Sequence, residues 1–187
     1  MTTLSEFSNN YKKILLKIQF SDHQQDLIKE GFDVGIRAGW LKDSELMSRN
    51  IGHANRLLVA SPDYVMSKPE PSSPVDLETW DWVHFSVRGE RAEFVSTDGH
   101  TETVQCKHRI EVDSAYALYE FAIRHQGLTM IPESLASRGI ERGELVHVIP
   151  DWSVMPLSLQ AVWPDRSRRE SLALLFVRFL ADNANSR

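Results

Sequence analysis

Apolar positions along the chain change period several times, and each change marks a new element. Leu4, Phe7 and Tyr11 recur at three- and four-residue spacing, which predicts a short amphipathic helix. Across residues 14–20 the period falls to two. Ile14, Leu16, Ile18 and Phe20 share one side and Lys17 and Gln19 the other, as in a strand. Ser21 and Asp22 then offer helix N-cap chemistry, Leu27 and Ile28 a buried helical face, and Gly31 a C-terminal stop. Residues 32–36 read as a second buried strand. Strand, helix and strand in so short a span predict a right-handed parallel crossover.

The middle of the chain continues in short extended pieces. Leu57-Leu58-Val59-Ala60 is an apolar strand closed by Ser61-Pro62, and residues 67–74 (SKPEPSSP) form a surface loop. Residues 82–87 predict a strand and 93–107 a hairpin, with Asp98-Gly99 supplying turn residues that tolerate positive φ. A second strand–helix–strand unit follows. Residues 109–112 are extended, Asp113-Ser114 cap a helix striped by Leu118, Phe121 and Ala122, Gly127 ends it, and the strand 128–131 stops at Pro132. A short helix over 133–142 and extended pieces at 145–149 and 159–163 lead to the last helix. There Ser167 and Glu170 form a capping box, and Leu172, Leu175, Phe176 and Phe179 give an apolar stripe. The fold class is α/β, with one strand–helix–strand unit in each half and a closing helix, which suggests two small lobes and a cleft.

Composition narrows the setting. The 187 residues are 42% hydrophobic and 25% charged, ordinary for a globular protein with one good core or two small ones. No apolar run approaches the roughly 18 residues of a membrane helix. The first residues lack the basic segment and apolar stretch of a secretory signal. The lone Cys106 excludes an internal disulfide and fits a reducing compartment, so a cytoplasmic location without membrane contact is expected. A net charge of −5 lacks the basic face of a domain that holds DNA by itself. The densest basic cluster, Arg166, Arg168 and Arg169, reads as a solvated helix end.

Several segments, in order, carry a resemblance. They are GFDVGIR at 31–37, Asp43-Ser44-Glu45-Leu46, RLLVASPDY at 56–64, and Val112-Asp113-Ser114. After these come Gly127-Leu128-Thr129-Met130-Ile131-Pro132, Gly143-Glu144-Leu145-Val146 and Pro150-Asp151-Trp152. Each is weak alone, but together they cover nearly the whole chain. The sequence resembles the C-terminal effector, or substrate-binding, domain of LysR-type transcriptional regulators, most nearly the CrgA-like subgroup.

The resemblance implies two Rossmann-like lobes joined by two crossover strands, like a type II periplasmic binding protein. One lobe would be residues 1–59 and 160–187, the other 60–159, with hinge strands near 57–60 and 159–163. It also implies a homodimer or higher oligomer, with helix faces such as that of Leu4 and Tyr11 taking part. DNA would be bound only through a helix-turn-helix domain that this sequence does not contain. The family's effector domain opens with a strand that this sequence also lacks, so an unpaired sheet edge is expected there.

In open parallel sheets, ligands sit beyond the carboxyl ends of strands. That rule selects Ser21 and Asp22, then Arg37, Gly39 and Trp40, then Phe85 and Ser86, then Asp113 and Ser114, with Met130, Ile131 and Pro132 as neighbours. Arg37 has two readings: a bidentate partner for a carboxylate ligand, or one half of an ion pair with Asp33 or Asp43. Trp40 either packs on an aromatic ligand or covers the domain edge. Capping alone explains Ser21 and Ser114.

Seven histidines and a Cys106-x-His108 pair lack the spacing of a zinc site and read as surface residues of the hairpin. No cofactor, metal or catalytic motif is expected, so the chain is not read as an enzyme. The leading expectation is a regulatory domain sensing a small-molecule effector, a carboxylate or an aromatic acid. Two other readings stand beside it: a transporter's solute-binding module, and a truncated remnant that only oligomerises.

Overall fold

The structure, a computed structural model, describes residues 2–39, 46–165 and 171–184. Its contacts divide the chain into two compact units, residues 1–54 with 157–187 and residues 55–156.

The first unit centres on one strand. β1 (Gly35–Ala38) and β2 (Leu46–Ala54) both pair antiparallel with β11 (Leu157–Pro164), which lies between them. Ala161 of β11 is buried with Val177 and Leu180 of α6 (Leu172–Ala184), so the C-terminal helix covers the sheet. Helix α1 (Thr2–Asn10) drives Phe7 between Phe176 and Phe179, ring centroids 4.8 and 5.2 Å away in edge-on geometry. Such pairs add to the apolar area they remove from water. The face of α1 expected to meet another subunit is thus engaged within the unit. Tyr11 also stands edge-on to Phe179 at 6.2 Å.

Three expectations for this unit fail. Residues 14–20 form no strand, and Leu15, Ile18 and Phe20 are 83%, 50% and 71% exposed. Alternation makes a strand only where a neighbour takes up its N–H and C=O groups, and no described strand does so. The helix that follows does not begin at Ser21-Asp22. It is the single turn α2 (Leu27–Glu30), capped by Asp26, whose Oδ1 accepts from the N–H groups of Ile28 (3.0 Å) and Lys29 (3.1 Å). Gly31, at φ +74°, ends it as expected. The predicted parallel crossover is therefore absent among the described residues: β1 runs antiparallel to β11, and Ile36, predicted buried, is exposed.

The second unit matches its prediction more closely. β3 (Arg56–Ala60) lies antiparallel between β8 (Thr129–Pro132) and β9 (Val146–His147). β4 (Trp82–Phe85) runs parallel to β7 (His108–Val112) and joins the first ladder through a parallel bridge between Trp82 and Leu128. Helix α4 (Ala115–Ile123) links β7 to β8, which makes the predicted strand–helix–strand unit. Its Leu118, Tyr119 and Ala122 bury with Val59, Val83, Ile131 and Ala136, the last from α5 (Glu133–Glu141).

A second core holds Leu58, Trp82, Phe94 and Val104. It includes the predicted hairpin β5 (Arg91–Ser96) and β6 (Thr101–Gln105), turning at Gly99 with φ +88°. β10 (Trp152–Val154) adds to β5. Cys106 belongs to this core, and His84 is buried against it with His108 stacked at 4.4 Å. The reading of Cys106 and His108 as surface residues was wrong for the cysteine, because the chain turns inward where β6 ends. The capping box of Ser167 and Glu170 and the cluster Arg166, Arg168 and Arg169 lie outside the described residues.

Candidate functional site

The candidate site of the second unit is built where parallel β4 and β7 end together. Phe85 stands opposite Val112, and the Ser86 N–H donates to the Val112 carbonyl at 2.9 Å. The chain then turns back, with the Arg88 N–H donating to the Phe85 carbonyl at 2.9 Å. Beside this turn α4 begins. Ser114 takes the N-cap position with extended backbone, yet its side chain makes no capping hydrogen bond. Capping therefore does not account for Ser114, contrary to expectation. Its hydroxyl sits at a helix N-terminus, where the first N–H groups and the aligned peptide dipoles favour negative charge. Exposed Ser86 and Asp113 share this strand end, and Asp113 is already engaged within the chain.

The three residues from β8 differ in what they can offer. Ile131 is fully buried in the core, so its side chain faces no ligand. Met130 is half-buried and lines a small cavity with His84, Phe85, Arg88, Gly89, Cys106 and Thr129. That cavity measures about 20 Å³, room for a single water. Pro132 holds the N-cap position of α5, opposite Arg56 of β3.

In the first unit, Ser21 closes a small local turn. Its Oγ donates to the His23 carbonyl at 3.3 Å and accepts from the His23 N–H at 3.1 Å, so it caps no helix. Asp22 is adjacent and likewise engaged. Arg37, half-buried on β1, donates from Nη2 to the Gln25 carbonyl at 2.9 Å, which ties the strand to the segment before α2. Gly39, at φ +96°, donates its N–H to the Ser158 carbonyl at 2.8 Å and closes the end of that pairing. Trp40 and Asp43 lie outside the described residues.

Sequence reasoning missed two arginines of the second unit. Arg56 donates from Nη2 to the Met155 carbonyl at 2.7 Å, while its Nε is buried without a hydrogen-bond partner. Arg88 places its guanidinium 5.5 Å from the Phe85 ring centre, and its Nη1 is also buried and unpartnered. Burial, and then the charge of Arg56, push the Arg88 pKa down to about 10. Burial lowers that of Arg56 as well. No periodic pattern in the sequence marks either arginine: Arg56 opens β3 and Arg88 lies in the turn after β4.

Two other clusters invite chemistry and decline it. At the opposite, amino ends of β4 and β7, an open depression of about 240 Å³ is lined by Glu78, Trp80, Asp81, Lys107, His108 and Arg109. Its charges answer one another: Asp81 meets Lys68 at 3.5 Å, Arg109 at 3.9 Å and the Tyr64 hydroxyl at 3.2 Å. Ser61, His125 and Asp63 stand in a serine–histidine–aspartate order, with Ser61 Oγ 2.7 Å from His125 Nδ1 and Asp63 3.7 Å from Nε2. Ser61 is buried and its Oγ accepts the Tyr64 N–H to start α3 (Pro62–Met66), so no substrate carbonyl could reach it. Among the described residues no three His, Cys, Asp or Glu side chains group to hold a metal ion. No described helix is long and apolar enough to cross a membrane.

Residues 1–185 match the LysR substrate binding domain. The chain belongs to that family. An HTH-type transcriptional regulator of Haemophilus influenzae is 28% identical over 87% of this chain and 57% of its own length. The full-length structure of the Vibrio cholerae virulence activator AphB, a member of the LTTR protein family, superposes with TM-score 0.78. It is 25% identical over 97% of this chain and 62% of that one. The regulatory domain of CrgA from Neisseria meningitidis also gives TM-score 0.78, at 21% identity over 98% of this chain and 90% of that one, and shows the shared fold. The LysR domain fold is of the periplasmic-binding-protein type II class, and the domain is a regulator's rather than an enzyme's. This chain spans 57% and 51% of the length of two of its curated relatives.

Proposed function

We propose that this chain is the effector-sensing part of a LysR-type transcriptional regulator that works in the cytoplasm as a homodimer or higher oligomer. It would bind DNA through a helix-turn-helix domain carried elsewhere in the whole protein. The observation that carries this reading is the family match over residues 1–185. The uncommitted Ser114 hydroxyl at the start of α4 supports it, because that strand end has polar groups left for a ligand. A small-molecule effector would contact Ser86 and Ser114, with Asp113, Phe85, Met130 and the backbone at Pro132 around them; Ser21, Asp22, Arg37 and Gly39 are proposed separately as the ligand-facing residues of the first unit. We assign lobes to residues 1–59 with 160–187 and to 60–159, with the strands near both boundaries as hinges. The effector would act by population shift: it binds one conformation of the regulator better and so favours it.

The test is a thermal-shift screen of small carboxylates and aromatic acids, followed by a transcription reporter in the full-length regulator. A hit should stabilise the chain, change reporter output, and lose affinity in Ser114→Ala. A regulator whose output answers no metabolite, with no compound stabilising the chain, would sink the proposal.

A further inference from the structure

The chain passes between its two compact units twice, and both passages are short. Asn55 alone separates the end of β2 from β3, and Met155 and Pro156 separate β10 from β11. Up to that point the two passages are laced as a ladder, which ends with Ala54 opposite Leu157. Pro156 has no N–H, so the backbone at that position can donate to no neighbour. Past Ala54 and Leu157, a side chain joins the passages instead. Arg56 Nη2 donates to the Met155 carbonyl at 2.7 Å.

The two passages are held in different ways. Asn55 is tied to the start of α5: its carbonyl accepts the Glu133 N–H at 3.0 Å, and its Nδ2 donates to Glu133 Oε2, also at 3.0 Å. Arg56 follows at once in β3, opposite Pro132 of β8. The first passage is therefore anchored to the second unit at both residues. Met155, by contrast, is 55% exposed. Its carbonyl is held against the first passage by the Arg56 guanidinium, a permanently charged and directional donor on a half-buried residue.

We infer that Arg56 is the clasp of the hinge: its hydrogen bond to Met155 sets how freely the second passage moves against the first. This rests on the two-lobe, two-hinge reading proposed above and names the side chain that governs its motion. Arg56 is a positioning residue, acting through the crossing backbone rather than on the effector. With the bond formed, the two passages move together. With it broken, the second turns about Met155, because the proline ring fixes φ at residue 156. An effector that favours one arrangement of the lobes then works with or against this one bond.

The test is a distance measurement on the whole chain by pulsed electron resonance. Nitroxide labels are placed on Arg178→Cys in α6 and Glu141→Cys in α5, both exposed positions. Cys106 is buried and stays unlabelled. Arg56→Met keeps an apolar stem and removes the donor. It should raise the share of minor distances about fivefold, the worth of one hydrogen bond. Arg56→Lys, which keeps a charged donor, should stay nearer the parent, a rescue that lost packing alone would not give. The parent supplies a check that needs no variant to fold: its Arg56 Nη1 and Nη2 protons should resolve separately in 15N spectra, as hindered rotation of the guanidinium requires.

Identical distance distributions for the parent and Arg56→Met would overturn the clasp, and so would a freely rotating guanidinium in the parent. Two glycines inserted between Met155 and Pro156 separate that failure from failure of the underlying reading. If the insertion spreads the distances and Arg56→Met does not, the hinge stands and the clasp falls. If neither changes them, the two-hinge reading falls with it.

Discussion

Cys106 and His147 illustrate how burial decides the chemistry of single side chains. Cys106 sits in the core beside Phe94 and Val104, and burial pushes its thiol up to about 12. The thiolate is the reactive form, so the folded chain should resist Ellman's reagent at pH 8 and react only after denaturation. A fast native reaction would contradict this placement. His147, opposite Val59 on β9, has its pKa lowered by burial, with Glu133 opposing the shift. The folded chain then binds fewer protons than the unfolded one, so stability should fall as pH drops below about 6.5 through the folded value. His147→Gln should flatten that slope in urea titrations run from pH 7 to pH 5. What such residues do was not legible from their types. Ser21 and Ser114 both looked like caps, and neither acts as one, because the role depends on where the neighbouring helix begins and which N–H groups it turns toward the hydroxyl.

Elements were legible where local pattern and tertiary partner agreed. The hairpin at Gly99, the strand 56–60 and the unit β7–α4–β8 all carry their own turn or cap signals and find pairing strands nearby. The alternation at 14–20 is as regular as any of these, but periodicity states only which side chains share a face. It does not supply a neighbouring backbone. Gly127 shows the opposite case, where one residue's freedom permits an element to form. At φ +135° it returns the chain from α4 to β8, and a Cβ there would lie 2.3 Å from the Asp81 carbonyl oxygen. That oxygen also accepts the Leu128 N–H at 2.9 Å. Gly127→Ala must therefore break this approach as well as strain the backbone, and should cost about 2 kcal/mol or more in denaturant unfolding. A variant as stable as the parent would mean the crossover can shift at little cost.

At the scale of the whole chain, the family resemblance carried the fold, because the ordered fragments from residue 31 to 152 specify a topology that no single strand or helix does. The candidate site was only partly legible. Strand ends can be read from a sequence, but the parallel bridge of Trp82 to Leu128, which joins β4 to the β3–β8 ladder, is encoded by no local pattern.

The position of β11 has a consequence for how the protein is made. Among the described residues, β1 and β2 are joined through Leu157–Pro164, which lies between them, so their sheet has no centre until that segment has left the ribosome. Residues 55–156 hold all the strands of their own ladders and can settle first. Released chains that end at residue 156 should protect amides in the later-numbered region while the first 54 residues exchange freely. Biogenesis of this domain would then run from the inside of the sequence outward, with its earliest-synthesised residues the last to become secure.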